Sequence, residues 1–563
     1  MTASVPAGLI LIAAGLLWPL VPRAARGWLL LAAPVLAFLQ LLSLQVGARV
    51  EIEAFGTVLQ LVRVDKLSLA FGYVFLIAAF LNAIFAWHVR EGPEPAAAMV
   101  YAGAAVAAVF AGDVLTLFVF WELTAVASAV VVWAQGSRRA YAAGMRYLIV
   151  HLASGMLLAA GAALRYAETG SLAFDYIGLA SPGGALILAA IGIKCAFPLL
   201  HNWLQDAYPE ASATGTVVLS AFTTKLGIYA LARAYPGTEM LIWIGTLMTA
   251  FPIFYAVIEN DLRRVLAYSV NNQLGFMVVG IGLGTDLGVN GAVAHAFADI
   301  LFKSLLLMSM GALLLRAGTA KGSELGGLYK SMPWTSGFCI VGAASISGVP
   351  LFAAFVTKSM ILVSAAEQGH LWVWLALLFA SAGVVEHAGI KIPFFGFFGH
   401  DSGIRCREAP ANMLVAMALA AALCIGIGSF PGVLYAVLPR AMDYSPYTGS
   451  HVLAQLQLLF FAVIGVFWLM RMGVYPPERR SVNLDFDWLY RRFGAWLLAG
   501  LTVAVGACNA AVARAWRGAA QRSVIWIKEL HGSEAVLART WTTGSLALWV
   551  AAMLAMYLLV VYL

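Results

Sequence analysis

Ionisable side chains interrupt the apolar segments of this sequence at several separate places. Glu122 lies within LTLFVFWELTAVASAVVVW, Lys194 within LILAAIGIKCAFPLLHNWL, and Lys225 within VVLSAFTTKLGIYALAR. A charged side chain at the centre of a bilayer costs at least about 2.5–3.5 kcal/mol on insertion scales, so such residues usually face protein or water and usually have a function. Desolvation disfavours a charged lysine and a nearby carboxylate favours it, so these groups could bind and release protons.

A second group of ionisable residues is defined by its spacing. His295, Asp299 and Lys303 are four residues apart in GAVAHAFADILFKSLLLMSMG, which predicts one helix face along which a proton could pass. Lys358 follows SGVPLFAAFVT, and His387 and Lys391 repeat the four-residue spacing in GVVEHAGIKIPFFGFFG. We expect these residues to continue the row that begins at Glu122, Lys194 and Lys225.

Each of these charges also has a structural explanation, as half of an ion pair or as a side chain that snorkels to the interface. Lys391 lies near the end of an apolar segment and is the lysine that best fits snorkelling, while we expect the neighbouring Glu386 to be structural. His151, in YLIVHLASG, fits a satisfied core histidine and a proton relay equally well. Five lysines at separate positions are much harder to explain in this way.

The composition indicates which elements must position these residues. Hydrophobic residues make up 62% of the 563 positions and only 11% are charged, whereas soluble domains are about half apolar and a quarter charged. Apolar stretches of about twenty residues recur throughout, each long enough to cross the hydrocarbon core. We therefore predict an all-α polytopic membrane protein with about 14–17 transmembrane helices, in which 490–516 is a further candidate span and 517–538 an interfacial stretch.

Lysine and arginine are concentrated in alternate loops, and these loops are expected to face the cytoplasm. Examples are Arg138 and Arg139, Arg263 and Arg264, and Arg405 and Arg407. This distribution places the amino terminus outside the cytoplasm. The exception is the loop 47–66, whose residues 50–61 alternate with period two and predict a short β-hairpin on the outer surface.

Prolines predict breaks in two of the charged segments. Pro198 follows Lys194, and Pro350 precedes Lys358. A helix broken at membrane depth frees backbone carbonyls and admits water, which is how transporters build ion sites.

Several kinds of site are not predicted. The five cysteines have no CxxC spacing, and no phosphate-binding loop, GxGxxG turn or haem motif is present. We therefore expect no cofactor and no metal site, and no aromatic-interleaved basic patch suggests nucleic acid despite the net charge of +7. The isolated chain is not expected to be an enzyme, and in a redox assembly the redox centres would lie on other subunits.

Several motifs together resemble a known family, the antiporter-like subunits of respiratory complex I and the large subunits of Mrp-type cation/proton antiporters. They are FWELTAVAS, GIKCAFPLLHNWLQDAYPEASATGTVVLSAFTTKLGIYALAR, DLRRVLAYSVNNQLGFMVVGIGLG, HAFADILFKSLL and SGVPLFAAFVTKSMI. The resemblance covers about residues 60–430. FVTKSMI, HAGIKIPFFGFFG, REAPANM and LDFDWLYRR are similar to the D-type subunit of the Mrp branch.

The resemblance implies a role for each matching residue. Glu122 resembles the essential glutamate of the family and Lys194 the lysine that it modulates. Lys225 resembles the connecting lysine and Lys358 the exit-side residue of a second half-channel, and Lys303 and Lys391 fit the same branch. Where family members usually carry a second histidine, this chain has Asp299, which we expect to hold Lys303 charged.

The resemblance also implies a division of the chain into two inverted five-helix repeats, each with one broken helix. The predicted segments are 1–92 with the first helices and the outer hairpin, 97–235 and 238–392 as the two repeats, 393–472 as further helices, and 473–563 as an extension with an interfacial segment and a final transmembrane helix.

Three functions are compatible with these features. The first is an ion-translocating subunit of a multisubunit Na⁺ or K⁺/proton antiporter in a bacterial inner membrane, with other membrane subunits, protons, cations and the lipid bilayer as partners. The second is a proton-pumping subunit of a redox complex, such as NADH:quinone oxidoreductase or a membrane-bound hydrogenase. The third is a scaffold for the chemistry of a neighbour, for instance inorganic-carbon uptake, in which the lysines would be dispensable.

Overall fold

The computed structural model describes residues 6–54, 56–479, 483–535 and 538–562. The chain divides into two compact units, Met1–Asp485 and Phe486–Leu563. Helices dominate both units, and the described part of the first unit also contains a β-hairpin. The predicted all-α polytopic fold is confirmed, because thirteen helical segments of the described residues are long and apolar enough to cross a membrane and three shorter apolar helices accompany them.

The helices before the first break, together with the hairpin, have the following bounds: α1 Ala7–Leu17, α2 Arg23–Leu42, β1 Arg49–Ala54, β2 Thr57–Arg63, α3 Lys66–Phe85, α4 Glu94–Phe110, α5 Val114–Trp133, α6 Arg138–Thr169 and α7 Pro182–Lys194. After the break come α8 Asn202–Ala207, α9 Gly215–Ala221, α10 Thr223–Ala234, α11 Glu239–Ile258, α12 Leu262–Leu283 and α13 Asp286–Ala317.

The remaining helices of the first unit are α14 Pro333–Ser347, α15 Ala353–Glu367, α16 Leu371–Val384, α17 Lys391–Pro393, α18 Ala411–Ser429, α19 Pro431–Tyr435 and α20 Gly449–Arg471. π turns at Val385–Ile390 and Phe394–Phe398 flank α17. The second unit contains α21 Gly494–His531 and α22 Thr543–Tyr562. Most of the expected span 490–516 and of the expected interfacial stretch 517–538 therefore belongs to one helix, α21.

The predicted hairpin is present. Strands β1 and β2 pair in antiparallel register, with Ile52 opposite Leu59 and a bulge between Val50 and Glu51. The period-two alternation of residues 50–61 was enough to predict the hairpin, because alternate side chains of a strand point to opposite faces.

Both predicted helix breaks are present. Lys194 is the last residue of α7, and the chain then passes through Ala196 and Leu199 at φ 56° and 72°. At the second break, Leu351 adopts φ 74° between α14 and α15. Left-handed backbone at a non-glycine residue costs of order 1 kcal/mol, so the surrounding packing must hold these turns in place.

Capping side chains fix where three helices around the breaks begin. The carboxylate of Asp113 accepts a hydrogen bond from Thr116 N at 2.6 Å at the start of α5, and that of Asp261 accepts from Arg263 N at 2.9 Å at the start of α12. The Thr285 hydroxyl accepts from Gly288 N at 3.0 Å at the start of α13. Each cap satisfies a backbone donor that has no partner within the helix.

Helices α10, α12 and α13 form the centre of the first unit, because nearly all of their residues are buried. Helix α20, by contrast, has only Val466 buried among its described residues. A charge carried by a central helix must therefore contact other protein groups or internal water, since its helix has no lipid-facing side.

Candidate functional site: a row of buried ionisable groups

The nine residues selected from the sequence lie on seven elements of the bundle. Helices α5, α7 and α10 carry Glu122, Lys194 and Lys225, and α13 carries His295, Asp299 and Lys303. Lys358 lies on α15, while His387 and Lys391 lie in the π turn after α16 and at the start of α17. Seven of the nine are completely inaccessible to solvent, and Lys358 is 6% exposed. Glu122 is partly buried.

Lys194 is held by neutral oxygen atoms of α5. Its Nζ donates to the carbonyl of Trp121 at 2.9 Å and to Oγ1 of Thr124 at 2.5 Å, and it lies 4.4 Å from the centre of the Trp121 ring. The end of α7 at Lys194 lets the ammonium approach α5 in this way. Among the residues that the structure describes, the lysine is therefore stabilised without a direct carboxylate contact.

Glu122, on the same turn of α5, packs against α6. Its Oε1 is buried and has no hydrogen-bond partner among the described residues, and no ion pair joins it to Lys194 in that part of the chain. Gly155 of α6 provides the space, because a Cβ atom at this position would collide with Glu122 Oε1. The Glu122 carboxylate thus lies next to the turn of α5 that Lys194 contacts, but it forms no ion pair with Lys194 among the described residues.

Lys225 and Asp299 form a fully buried ion pair between α10 and α13. Nζ of Lys225 lies 2.7 Å from Oδ2 of Asp299 and donates to the carbonyl of Ser220 at 3.1 Å. The direct partner of Asp299 is therefore Lys225 rather than Lys303, and the expectation that Asp299 also holds Lys303 charged stays a prediction. The four-residue spacing placed Asp299 and Lys303 on one helix, but α10 presents a second ammonium directly to the carboxylate.

Hydroxyl groups lie between Lys194 and Lys225. Thr124 accepts from Lys194, and the Ser128 hydroxyl donates to the Thr124 carbonyl at 2.6 Å. The hydroxyls of Ser128 and Tyr147 are 2.8 Å apart, and Tyr147 lies 3.3 Å from Oγ1 of Thr223. Thr223 precedes Lys225 by two residues. These neutral groups were not selected from the sequence, since a single hydroxyl in a helix is common.

His295 contacts two helices besides its own. Its Nδ1 lies 3.0 Å from Oγ1 of Thr357 on α15, and its Nε2 lies 3.0 Å from Oε1 of Gln273 on α12. Gln273 in turn donates to Oδ1 of Asn272. The consecutive amides Asn271, Asn272 and Gln273 in the middle of an apolar segment are a signal that could have identified this part of the row.

Lys303 and Lys358, like Lys194, donate to neutral acceptors. Lys303 donates to Oγ of Ser269 at 2.7 Å. Lys358 donates to the Ile346 carbonyl at 3.2 Å, across the second break, and lies 4.9 Å from the centre of the Phe276 ring. The same lysine lines a cavity of about 280 Å³ together with residues of α16 and α20. Lys358 is therefore the residue at which the buried row meets an internal space.

Lys391 does not snorkel, which corrects one of the structural explanations. Its ammonium is fully buried and donates to the carbonyls of Val257 and Glu259, each at 2.7 Å, and it lies 2.8 Å from Oε1 of Glu478. Nδ1 of His387 lies 2.6 Å from the Gly383 carbonyl. Because a π turn covers His387, the two residues do not share the regular helical spacing that the sequence suggested.

Three further ionisable residues lie close to the row. His151 is buried between the rings of Tyr147 and Trp203, and neither ring nitrogen has a hydrogen-bond partner among the described residues. Glu386 accepts a hydrogen bond from the Tyr475 hydroxyl at 2.5 Å. Glu478 was missed because it belongs to a loop, where a carboxylate is ordinary.

Comparison with known proteins places this arrangement in a family. Residues 111–384 match the family described as NADH:quinone oxidoreductase/Mrp antiporter, TM. The NADH-quinone oxidoreductase subunit N of Desulforudis audaxviator is 31% identical over 352 residues, which is 56% of this chain and 69% of that protein. The D subunit of the Na(+)/H(+) antiporter of Alkalihalophilus pseudofirmus is 28% identical over 324 residues, which is 54% of this chain and 65% of that protein.

A solved structure agrees with these relatives. A chain in the structure of the Mrp complex from Dietzia sp. DQ12-45-1b aligns with a TM-score of 0.76 and 25% identity, over 89% of this chain and 59% of that chain. The match thus spans about two thirds of the two relatives and less of the solved chain. The resemblance predicted from the motifs is confirmed, and the chain belongs to the family of NADH:quinone oxidoreductase and Mrp antiporter transmembrane subunits.

Proposed function

We propose that the chain is the ion-translocating membrane subunit of a multisubunit antiporter that exchanges Na⁺ or K⁺ for protons. The observation that carries this proposal is the row of buried lysines, from Lys194 through Lys225, Lys303 and Lys358 to Lys391. A single buried lysine is explained by one ion pair. Five buried lysines, of which Lys194, Lys303 and Lys358 form no ion pair among the described residues, favour groups that gain and lose protons in turn.

The first step involves Glu122 and Lys194. Movement of the Glu122 carboxylate towards Lys194 stabilises the ammonium, and movement away releases its proton towards the hydroxyls of Ser128 and Tyr147. Two unit charges 4 Å apart interact by about 4 kcal/mol at an effective dielectric constant of 20. Because about 1.4 kcal/mol changes an equilibrium tenfold, a small movement of Glu122 is sufficient to change the protonation of Lys194.

The proton then passes through the centre of the bundle. Asp299 holds Lys225, and the proton continues over Lys303 and Lys358, with His295 between α12 and α15 as a relay. His387 and Lys391 end the row. In this proposal residues 97–235 and 238–392 are two inverted repeats that each provide one half-channel and one broken helix.

Membrane orientation is part of the same proposal. The loops rich in Lys and Arg meet at one end of the first unit: Gly322 N donates to the Asn260 carbonyl at 2.8 Å, and Ser402 N to the Gly326 carbonyl at 3.4 Å. By the positive-inside rule this end faces the cytoplasm. We therefore propose a bacterial inner-membrane location with the amino terminus outside the cytoplasm.

The test is a transport assay on the intact complex in inverted membrane vesicles, with Na⁺ and K⁺ compared. We expect Lys194→Ala and Glu122→Gln each to reduce cation-dependent proton movement at least tenfold. Lys321→Ala is the matched control, because this lysine is in a loop with its side chain 49% exposed. Undiminished transport in Lys194→Ala would contradict the proposal.

A second candidate function is that of a proton-pumping subunit in a redox complex. The 31% identity to a subunit of NADH-quinone oxidoreductase favours it, and the buried row would serve it equally well. Purification of the complex from native membranes separates the two functions. Iron–sulfur or flavin subunits in the purified assembly would favour the redox complex, and small membrane subunits alone would favour the antiporter.

A further inference from the structure

The loop that follows α20 crosses the end of the buried row. Tyr475 donates to Glu386, Glu478 pairs with Lys391, and Asn483 Nδ2 donates to the Ile258 carbonyl at 3.1 Å. Asp485 Oδ2 lies 2.7 Å from Nε2 of His201, just after the first helix break. The described residues of 475–485 are therefore fixed at four points, and Glu478 has a defined position between them.

Three oxygen atoms lie around the Lys391 ammonium. Its Nζ donates to the carbonyls of Val257 and Glu259, and Oε1 of Glu478 lies 2.8 Å away as the carboxylate of an ion pair. Both side chains of the ion pair are shielded from solvent, since Lys391 is 0% and Glu478 is 6% exposed. Backbone carbonyls do not accept a proton at ordinary pH, so Glu478 is the group that can exchange one with Lys391.

On its other side, Glu478 lines a cavity of about 480 Å³. Its Oε2 is buried without a hydrogen-bond partner among the described residues. The cavity extends to His400, Asp401 and Ser402, which are exposed. A buried carboxylate oxygen without a partner next to a space of this size is where water is expected.

The surroundings of Glu478 suit proton exchange. Burial raises the pKa of Glu478, although the Lys391 ammonium opposes this effect. The other titratable groups that face it are Glu386 and Tyr475, which interact with it electrostatically, and His400 and Asp401 across the cavity. The neutral form of the carboxyl group is thereby closer in energy to the charged form than in water.

We propose that Glu478 carries protons between Lys391 and the surface cavity, so that the buried row opens to solvent through the loop after α20. This inference rests on the proposed function. In the step that passes a proton from the row to the cavity, an N–H bond of the Lys391 ammonium breaks and an O–H bond forms at Glu478, which leaves a neutral amine and a neutral carboxyl group. The carboxyl group then gives its proton to water in the cavity, and Lys391 takes the next proton from the row.

The alternative is that Glu478 only clamps the loop onto α17. Both roles predict damage when the side chain is removed, so the test uses chemical rescue. In Glu478→Ala the cavity is enlarged towards Lys391, and formate, a small weak acid, can occupy that position and carry protons. A clamp would not be restored by formate, because formate has no link to the loop.

The experiment measures uptake of radiolabelled Na⁺ or K⁺ by the intact complex in vesicles, per amount of assembled chain. We expect Glu478→Gln and Glu478→Ala each to lower uptake at least tenfold, and formate to restore the Ala variant several-fold while leaving the wild type unchanged or slower. Asp401→Asn is the matched control, because Asp401 lines the same cavity but is paired with Arg405. It should transport normally.

Two outcomes overturn the inference: wild-type uptake in Glu478→Gln, or loss of uptake in Glu478→Ala that formate does not restore. If the Ala variant does not assemble, the Gln variant, which keeps the size of the side chain, decides by its rate alone. Failure of the proposed function is recognised separately. In that case Lys194→Ala transports normally, whereas failure of this inference alone leaves Lys194→Ala inactive and Glu478→Gln active.

Discussion

Lys194 and Lys225 lie in neighbouring regions of the bundle and are held in different ways. Lys194 donates to a carbonyl and a hydroxyl, and no ion pair joins it to Glu122 in the described residues. Lys225 lies 2.7 Å from the carboxylate of Asp299, and both side chains are fully buried. The first lysine can therefore exchange its proton without separating a buried ion pair, whereas the second must transfer or separate one.

The physical consequence concerns stability as well as transport. Removing one partner of a buried ion pair leaves an uncompensated charge, at a cost of about 3–5 kcal/mol. Neutralising Glu122, whose buried Oε1 has no partner among the described residues, removes no such contact. Neutralising a carboxylate should therefore have different effects in the two regions. At the Lys225–Asp299 pair the protein should lose stability and transport together, whereas at Glu122 it should lose transport alone.

The largest effect is expected for Asp299→Asn. It leaves the Lys225 ammonium buried without its carboxylate, so we expect the free energy of unfolding to fall by about 3–5 kcal/mol. The fall is smaller to the extent that Lys225 gives up its proton. The double variant Asp299→Asn with Lys225→Met removes both charges and should recover most of this loss while remaining inactive in transport. Thermal unfolding of the purified complex measures both changes.

Glu122→Gln is the control for that experiment. We expect its unfolding temperature to stay close to that of the wild type. Equal destabilisation by Glu122→Gln and Asp299→Asn would remove the distinction between the two regions, and so would a double variant no more stable than Asp299→Asn.

A smaller effect, confined to the first region, is expected for Gly155→Ala. The added Cβ would collide with Glu122 Oε1, so the carboxylate must move away from its position beside α6. We expect the transport rate to fall about tenfold, equivalent to about 1.4 kcal/mol in the activation free energy. Gly426→Ala is the matched control, because a Cβ at this position of α18 meets nothing within 4 Å. A similar rate for both variants would contradict the assigned position of Glu122.

The smallest effect is expected for Thr124→Val, which keeps the shape of the side chain but removes the hydroxyl that accepts from Lys194. A hydrogen bond to a charged group contributes about 1.5–3 kcal/mol, but only part of this is lost because the Trp121 carbonyl remains as an acceptor. We therefore expect a several-fold fall in transport rate, with Thr124→Ser close to the wild type. Equal rates for the Val and Ser variants would show that the hydroxyl does not hold Lys194.

Much of the arrangement was predictable from the sequence alone. The recurring apolar segments predicted the all-α membrane fold, and the charges within them identified residues that the structure buries. The prolines near Lys194 and Lys358 predicted the two breaks. These features depend on local chemistry: hydropathy over about twenty residues, the restricted backbone of proline, and the cost of charge in lipid.

The pairing of the charges was not predictable in this way. Spacing along α13 suggested that Asp299 serves Lys303, and only the packing of α10 against α13 gave it Lys225. Position near a span end suggested that Lys391 reaches solvent, and only the loop after α20 supplied Glu478. Hydropathy and spacing are properties of one segment, whereas a partner for a buried charge comes from whichever segment folds against it. The sequence therefore identified most of the charges that the fold buries, whereas the burial of Lys391 and Glu478 and the contacts of every charge were decided by the tertiary structure.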